Sequence, residues 1–546
     1  MEERVDFGEL RSLLDGMKTA EQFERLIALI EAGVEKFGRA MVEEQWLPYA
    51  LEKLASWPAD KRRCRRDMLR RLEQEDDLCW GPLVKTLDYE LSPLTARRVK
   101  EIAQASHLAN ITHLDLTAAS VNWYDLNELA QTAPFRLESF ALRKSTSSGA
   151  KEKDLAPLFA SPMLSDLREL ALPGWSRFGA SSMKVMLATL PLAKLERLDL
   201  HATGIGKSGL ISLLKCKRFA SLRELHLGGL EFHHDKVLRA FEEAEGFESV
   251  RELSLFHTKF KPSKLRPASE LPFWTKLESL DLTGNTFDAA DVAWLCDADD
   301  YPNLKTLSFS SVQWEREALK ELLGATCFEQ VESLRLSDAD LEAEYFEEVS
   351  WRGLRELDLM SSSFDVSCWR AMARCDFWRG LTRLGLANVI TPWLAARPQR
   401  GNLITRISYV ERVQELISEI WKEASLPPEL ESLDLRGCGI DEHLMAMLLE
   451  QECMETLQQL DMSGFATGQG VNAGALKMLS EADKCPQLTT LGVESDESIL
   501  EAVAAFAQSK SARSLREIHV CVDYSEDEFS KELAAMVPEG VRVLEV

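Results

Sequence analysis

The chain has no apolar run approaching the ~18 residues a membrane span needs, which excludes an ordinary transmembrane helix. None of its 11 cysteines stands in a CxxC pair, and an odd number cannot all be paired within one chain. Cys64, Cys216, Cys296, Cys327 and Cys438 are scattered, several inside apolar stretches, as small core residues of a reducing compartment are. The opening Met1-Glu2-Glu3-Arg4-Val5-Asp6 lacks the basic-then-apolar order of a secretory signal. Positive charge is in deficit, with 64 Lys and Arg against 89 Asp and Glu, a net charge of −25. That balance disfavours non-specific binding to nucleic acid or anionic membrane and favours a basic protein partner. Together these absences predict a cytoplasmic protein with no nucleic-acid or membrane partner.

What is present is repetition. Leu277-Glu278-Ser279-Leu280-Asp281-Leu282-Thr283-Gly284-Asn285-Thr286-Phe287 reads L-x-x-L-x-L-x-x-N-x-F. Weaker copies begin at Val250 and Leu304, each 27 residues away. Further copies begin at Val84, Ile111, Leu137, Leu167, Leu195 and Leu222, then at Val331, Leu354 and Leu381. After a weak copy at Ile404 they continue at Leu430, Leu457, Leu488, Leu515 and Val541, giving about 18 units. Most spacings are 26 to 28 residues, with outliers of 23, 30 and 31. A fixed period of this length marks a solenoid, whose core grows along one dimension, so the length of 546 residues does not require several globular domains.

Within each copy, positions four and six are apolar, as in Leu114 and Leu116 or Leu198 and Leu200. Such alternation predicts a short strand with one buried face. The rest of each unit carries a helical stripe, for example Leu210, Leu213 and Leu214, or Leu319, Leu322 and Leu323. The expected fold is α/β: a curved solenoid with an inner parallel sheet and outer helices. Residues 388–429 are the least regular piece, broken by Thr391-Pro392-Trp393 and Arg397-Pro398. They read as a degenerate unit with Ile404, Ile407 and Tyr409 as its strand, because 381 to 430 is close to two periods.

Residues 1–80 read as a small all-α domain. Leu10, Leu13, Leu14 and Met17 form one stripe; Phe23, Leu26, Ile27, Ile30 and Val34 a second; Leu51, Leu54 and Trp57 a third. Thr19 and Gln22 are spaced as a capping pair. The stretch Lys61–Arg71 holds seven basic residues in eleven and reads as a solvated helix face, with Arg71 and Glu75 at i and i+4. This domain is expected to cover the open end of the solenoid, which occupies 81–546.

These motifs resemble the leucine-rich repeat family, in its longer ribonuclease-inhibitor-like class with a helix in each unit. The resemblance covers residues 84–546 and implies a horseshoe that binds protein on its concave face. It also permits a regulator of a partner enzyme, as inhibitor or GTPase activator. Residues 47–80 faintly resemble an F-box, which would imply a ubiquitin-ligase receptor. The ninth repeat position is usually Asn or Cys in the family, and is so here only at Asn285 and Cys438. Thr203, Thr258, Ser145 and Ser362 are expected to replace its hydrogen bond to the neighbouring loop, whereas Trp175, Leu230, Val312 and Phe465 cannot.

Positions three, five and seven of each strand point away from the core, and adjacent strands lie ~4.8 Å apart, so these residues form lateral rows. Position five supplies Asp115, Asp199, Asp281, Arg335, Asp358, Asp434 and Asp461. Position seven supplies Arg143, His201, Phe256, Met360, Val410 and Arg436, and aromatic, Met and Arg side chains are types enriched in binding hot spots. The expected site is therefore an acidic concave surface with a few anchors. Catalysis is not expected, nor is any cofactor or metal. Gly204-Ile205-Gly206-Lys207-Ser208 contains the G-K-S of a phosphate loop, but His201 stands where that loop needs another glycine. The repeat frame explains it as a turn with Ser208 capping a helix. His233-His234-Asp235 reads as the start of a helix, and Asn110-Ile111-Thr112 as a glycosylation acceptor with no route to a secretory compartment. The strand Val541–Val546 predicts either a closing strand tucked beneath the previous unit or a homodimer contact.

Overall fold

Leucines at positions four and six cannot be buried inside one 27-residue unit, so they are buried by stacking on the same positions of the next unit. A computed structural model shows this arrangement for residues 8–15, 18–63, 66–75, 78–89, 93–117, 119–121, 123–143, 156–271, 273–297, 301–389, 403–464, 470–522, 528–538 and 540–545. The chain divides into two compact units, Met1–Thr258 and Lys259–Val546.

In the first unit the repeat strands are β1 (Thr86–Asp88), β2 (His113–Leu116), β3 (Ser139–Leu142), β4 (Glu169–Ala171), β5 (Arg197–Asp199), β6 (Glu224–His226) and β7 (Glu252–Ser254). Each pairs in parallel with the next, and Leu87, Leu114, Phe140, Leu170, Leu198, Leu225 and Leu253 stack in register. All seven side chains are buried. Helices pack on the leucine side; Gly206–Leu214 turns Leu210, Leu213 and Leu214 inward.

The longer helices described before β1 are Gly8–Asp15, Ala20–Phe37, Leu47–Leu54 and Arg66–Gln74. Thr19 caps the second, accepting from Gln22 N. The third buries Leu47, Ala50 and Leu54, a helical spacing that turns Leu51 outward at 40% exposure, against the expected stripe. This helical segment covers the sheet edge through its own backbone. Arg62 O accepts from Lys85 N and Thr86 N at 2.9 and 3.2 Å, and Arg63 bridges to Thr86. The edge of β1 is thereby paired, which removes a template for foreign strands. Behind it, Glu73 and Arg98 (side chains 0% and 7% exposed) pair at 2.7 Å, and Tyr89 donates to the same carboxylate at 2.6 Å. A buried charge is tolerable when paired and hydrogen-bonded in this way. Described members of the basic run are likewise paired: Lys61 with Asp60, Arg63 with Asp88, Arg70 with Glu73, and Arg71 with Glu31 and Glu75. Arg62 is buried, donating to Leu83 O.

In the second unit the strands are β8 (Ser279–Asp281), β9 (Thr306–Ser308), β10 (Ser333–Arg335), β11 (Glu356–Asp358), β12 (Arg383–Gly385), β13 (Ser432–Asp434), β14 (Gln459–Asp461), β15 (Thr490–Glu494), β16 (Glu517–Cys521) and β17 (Arg542–Glu545). They too pair in parallel and in sequence. β17 is thus an ordinary member of the ladder on β16.

Three expectations need correction here. Residues 404–409 form no strand: they belong to the helix Leu403–Glu423, and β12 pairs directly with β13. That stretch is an insertion, and Val410 lies on its helix rather than in the position-seven row. A helix does not recur in every unit either. Between β10 and β11, the pair whose spacing is 23 residues, only the 3-10 turn Ala343–Phe346 is present. Finally, Ser208 lies inside the helix Gly206–Leu214, whose N-cap is Ile205 with no side-chain cap.

The ninth-position ladder is discontinuous, as the sequence predicts. Asn285, 2% exposed, accepts from Phe260 N at 3.0 Å and donates to Leu282 O at 2.8 Å. Ser362 does the same, accepting from Ala339 N and donating to Leu336 O. Thr203 and Thr258 donate back to their own strands, to Leu200 O and Leu255 O. Cys438 Sγ lies 3.3 Å from Leu386 O. Trp175, Leu230 and Val312 fill the position as buried apolar groups, while Ser145 and Phe465 lie outside the described residues.

None of the ten described cysteines forms a disulfide, and burial pushes the Cys438, Cys453 and Cys485 thiols up to about 12. Cys64 lies outside the described residues. Among the described residues, no helix is long and apolar enough to cross a membrane. Replacing Asn285 with Ala orphans the buried Phe260 N–H and a strand carbonyl. The expected cost is about 2–4 kcal/mol in urea unfolding, against less than about 1 kcal/mol for Thr203→Ala, whose hydroxyl donates to Leu200 O.

Candidate protein-binding surface

Where the chain leaves each strand, alternate N–H groups reach the neighbouring strand and the one between them does not. Leu282 N and Gly284 N bond Ser308 O and Ser310 O, while Thr283 N lacks a backbone acceptor in this ladder. Asp281 fills that need: its Oδ1 accepts from Thr283 N at 3.0 Å. The same turn recurs at every aspartate of the expected row. Asp115 accepts from Thr117 N at 2.8 Å, and Asp199, Asp358, Asp434 and Asp461 accept from His201, Met360, Arg436 and Ser463 N at 3.0 Å. These carboxylates are half-buried parts of the backbone turn, and sequence reasoning missed that role. The clue was available, since Asp readily bonds its own backbone two residues on.

The structure gathers the expected residues into two groups. In the first unit, His201 Nδ1 lies 2.8 Å from Asp199 Oδ1, and the His201 and Phe256 rings sit 5.6 Å apart. Gly228 makes room for that aromatic: a Cβ there would lie 2.1 Å from the Phe256 ring. His226 joins from β6; burial pushes its imidazole below the usual value, opposed by the nearby carboxylates of Asp199 and Glu224. In the second unit, Arg436 grips Asp434 with two nitrogens, at 3.0 and 2.7 Å, and approaches Asp461 at 3.8 Å. That hydrogen-bonded carboxylate, with Asp461 and Asp358 nearby, raises the Arg436 guanidinium above its usual value. Arg436 is therefore an internal brace for the acidic row more than a free anchor.

Other expected residues stand apart. Arg143 and Arg335 are exposed; Arg335 lies in register between Ser308 and Asp358, and Met360 is half-buried beyond Asp358. At the start of the first sheet, Asp115 and Asp88 line an open cavity of about 280 Å³ with Thr19, Asp60, Lys61 and Arg63.

The phosphate-loop look-alike is accounted for by packing. A Cβ at Gly204 would lie 1.8 Å from Ser176 O, so the glycine permits backbone contact between repeats. Asn110 donates to Pro82 O and Val84 O, a structural use of the acceptor-like triplet.

No protein-family model matches the chain, and no curated protein matches it. Solved structures do. An internalin of Listeria monocytogenes aligns over 56% of this chain and 88% of its own, at 14% identity and a TM-score of 0.29. The Rad7–Elc1 complex of yeast gives an alignment over 89% of this chain and 90% of the matched one, at 16% identity and a TM-score of 0.36. At these values neither neighbour carries a statement about function. The repeat geometry itself is that of a leucine-rich repeat solenoid.

The turn makes a separable prediction. Asp281→Asn keeps an acceptor for Thr283 N and is expected to change stability by less than about 0.5 kcal/mol. Asp281→Ala removes it and is expected to cost about 1 kcal/mol. Urea unfolding of the two variants checks the difference.

Proposed function

We propose that the chain is a non-enzymatic protein-binding scaffold, of the longer ribonuclease-inhibitor-like repeat class, that takes its partner on the uncovered face of its repeat strands. The supporting observation is the position-five row. Within each unit its aspartates hold the same position on their own strands, with Asp434 and Asp461 adjacent in register, and each is held by the backbone with one oxygen committed to the turn. A side chain already fixed loses little entropy on binding, so such a row presents a preorganised acidic surface. Its natural complement is a basic or mixed-charge protein segment. Phe256 and Met360 supply apolar anchors of the kind that dominate interface energy.

Inhibition or activation of a partner enzyme would use the same face and is a special case of this reading. The F-box-like reading has less support. Residues of the 47–80 segment are engaged in covering β1, through Arg62 and Arg63, and in the Glu73 cluster. Self-association through the outer edge of β17 is a separate expectation. A concentration series by light scattering tests it: a mass rising toward two chains supports it, and a constant single-chain mass rules it out.

Affinity capture from the native cell, read by mass spectrometry, tests the main reading. The combined variant Asp199→Asn, Asp281→Asn, Asp358→Asn removes charge while keeping each turn acceptor. It is expected to keep the wild-type unfolding midpoint and to weaken partner capture by about tenfold or more, with loss of salt sensitivity. Unchanged capture by a folded variant would sink the reading.

A further inference from the structure

The segment between β6 and the helix Asp235–Glu242 carries a cluster that the partner-binding surface does not use. Leu230 and Phe232 are buried, and Glu231 and His233 alternate with them on the outer side of an extended stretch. The stretch is pinned: Phe232 N donates to Thr258 O at 3.1 Å, and the Phe232 ring packs edge-on against Phe241 at 5.6 Å. The chain then turns at His234, the N-cap residue, and brings a second imidazole beside the first. The two rings lie 4.0 Å apart, and His234 Nε2 is 3.5 Å from a Glu231 carboxylate oxygen. One donor atom from each of Glu231, His233 and His234 falls within 4.8 Å of the others.

Two features of this cluster go beyond proximity. His233 Nδ1 is buried and has no hydrogen-bond partner, so that nitrogen is left without a donor or acceptor to satisfy it. The two rings are also inclined at 41° to one another, not stacked face to face, so a nitrogen of each can turn toward one ion. The positive end of the following helix opposes a cation, but Asp235 in its first turn and Glu231 offset that field.

We propose that Glu231, His233 and His234 form a binding site for a borderline divalent transition metal of the zinc class. Two imidazole nitrogens and one carboxylate oxygen suit such an ion, whereas magnesium and calcium prefer all-oxygen sets. Tetrahedral zinc with these ligands places donors roughly 3.3 Å apart, so the 3.5 Å pair needs almost no movement and the third donor a side-chain rotation. Three protein ligands leave a coordination position open to water or to a side chain of another protein. The site does not depend on the scaffold reading, because metal binding is measured on the chain alone.

The test titrates the reduced full-length chain with Co²⁺ by visible absorption and with Zn²⁺ by calorimetry. The expected result is about one equivalent bound, with d–d bands but no thiolate charge-transfer band, and weaker binding on acidification as protons compete for the ligands. The H233Q/H234Q variant is expected to lose at least about a hundredfold in affinity and E231Q about tenfold. Absence of binding, a thiolate spectrum, or equal affinity in H233Q/H234Q would overturn the proposal. If the double variant proves misfolded by circular dichroism, E231Q decides alone. Its side chain is 61% exposed, and unchanged affinity there would equally overturn the site.

Discussion

Each repeat of this protein buries its leucines only against the repeats beside it. The stacked column of position-four side chains is therefore both core and register: Leu280, Leu307, Leu334, Leu357 and Leu384 can meet only if successive strands align residue for residue. Once that alignment exists, every other repeated position becomes a row. The turn aspartates, the ninth-position polar groups and the surface side chains are lateral rows because the leucines are one. Such a core has open ends, and at the first strand the backbone of Arg62 and Arg63, between two helices, extends the ladder past β1.

Charge in this chain serves two different ends. Part of it is consumed within the fold. Glu73, Arg98 and Tyr89 form a buried, fully engaged group, and much of the basic run at 61–71 is neutralised by neighbouring acids. The rest is displayed, but on a rigid mount. An aspartate that caps the turn at the end of its own strand cannot wander, and its charge is presented at a fixed place on every repeat that carries it. Arg436 shows the limit of the acidic row, since it lies among Asp434, Asp461 and Asp358 and offsets their mutual repulsion. The same economy explains why an Asp at position five is both a structural residue and a candidate contact.

Several residues could not be read correctly from one-dimensional spacing. Leu51 falls on a plausible apolar stripe, yet the face its helix buries is set by Leu47, Ala50 and Leu54. Ser208 follows a glycine-containing loop and looks like a cap, yet the helix starts at Gly206. Ile404, Ile407 and Tyr409 fit a strand by period, but the helix Leu403–Glu423 runs through them and β12 pairs with β13 without them. In each case a short local pattern supported two structures, and packing against other elements chose between them.

The sequence by itself determined the solenoid, its strand frame, the stacked leucines and the uneven ninth-position ladder. Those features repeat, and many noisy copies of one signal are far more decisive than any single copy. Only the tertiary structure decided which surface residues act together. It placed His201 against Phe256 over Gly228, folded Arg436 onto Asp434, bent Glu231, His233 and His234 into one cluster, and paired β12 directly with β13. The physical reason is the same throughout. Burial of leucine depends on period alone, whereas a site depends on side-chain direction and on which turns leave room, and neither is written in the spacing.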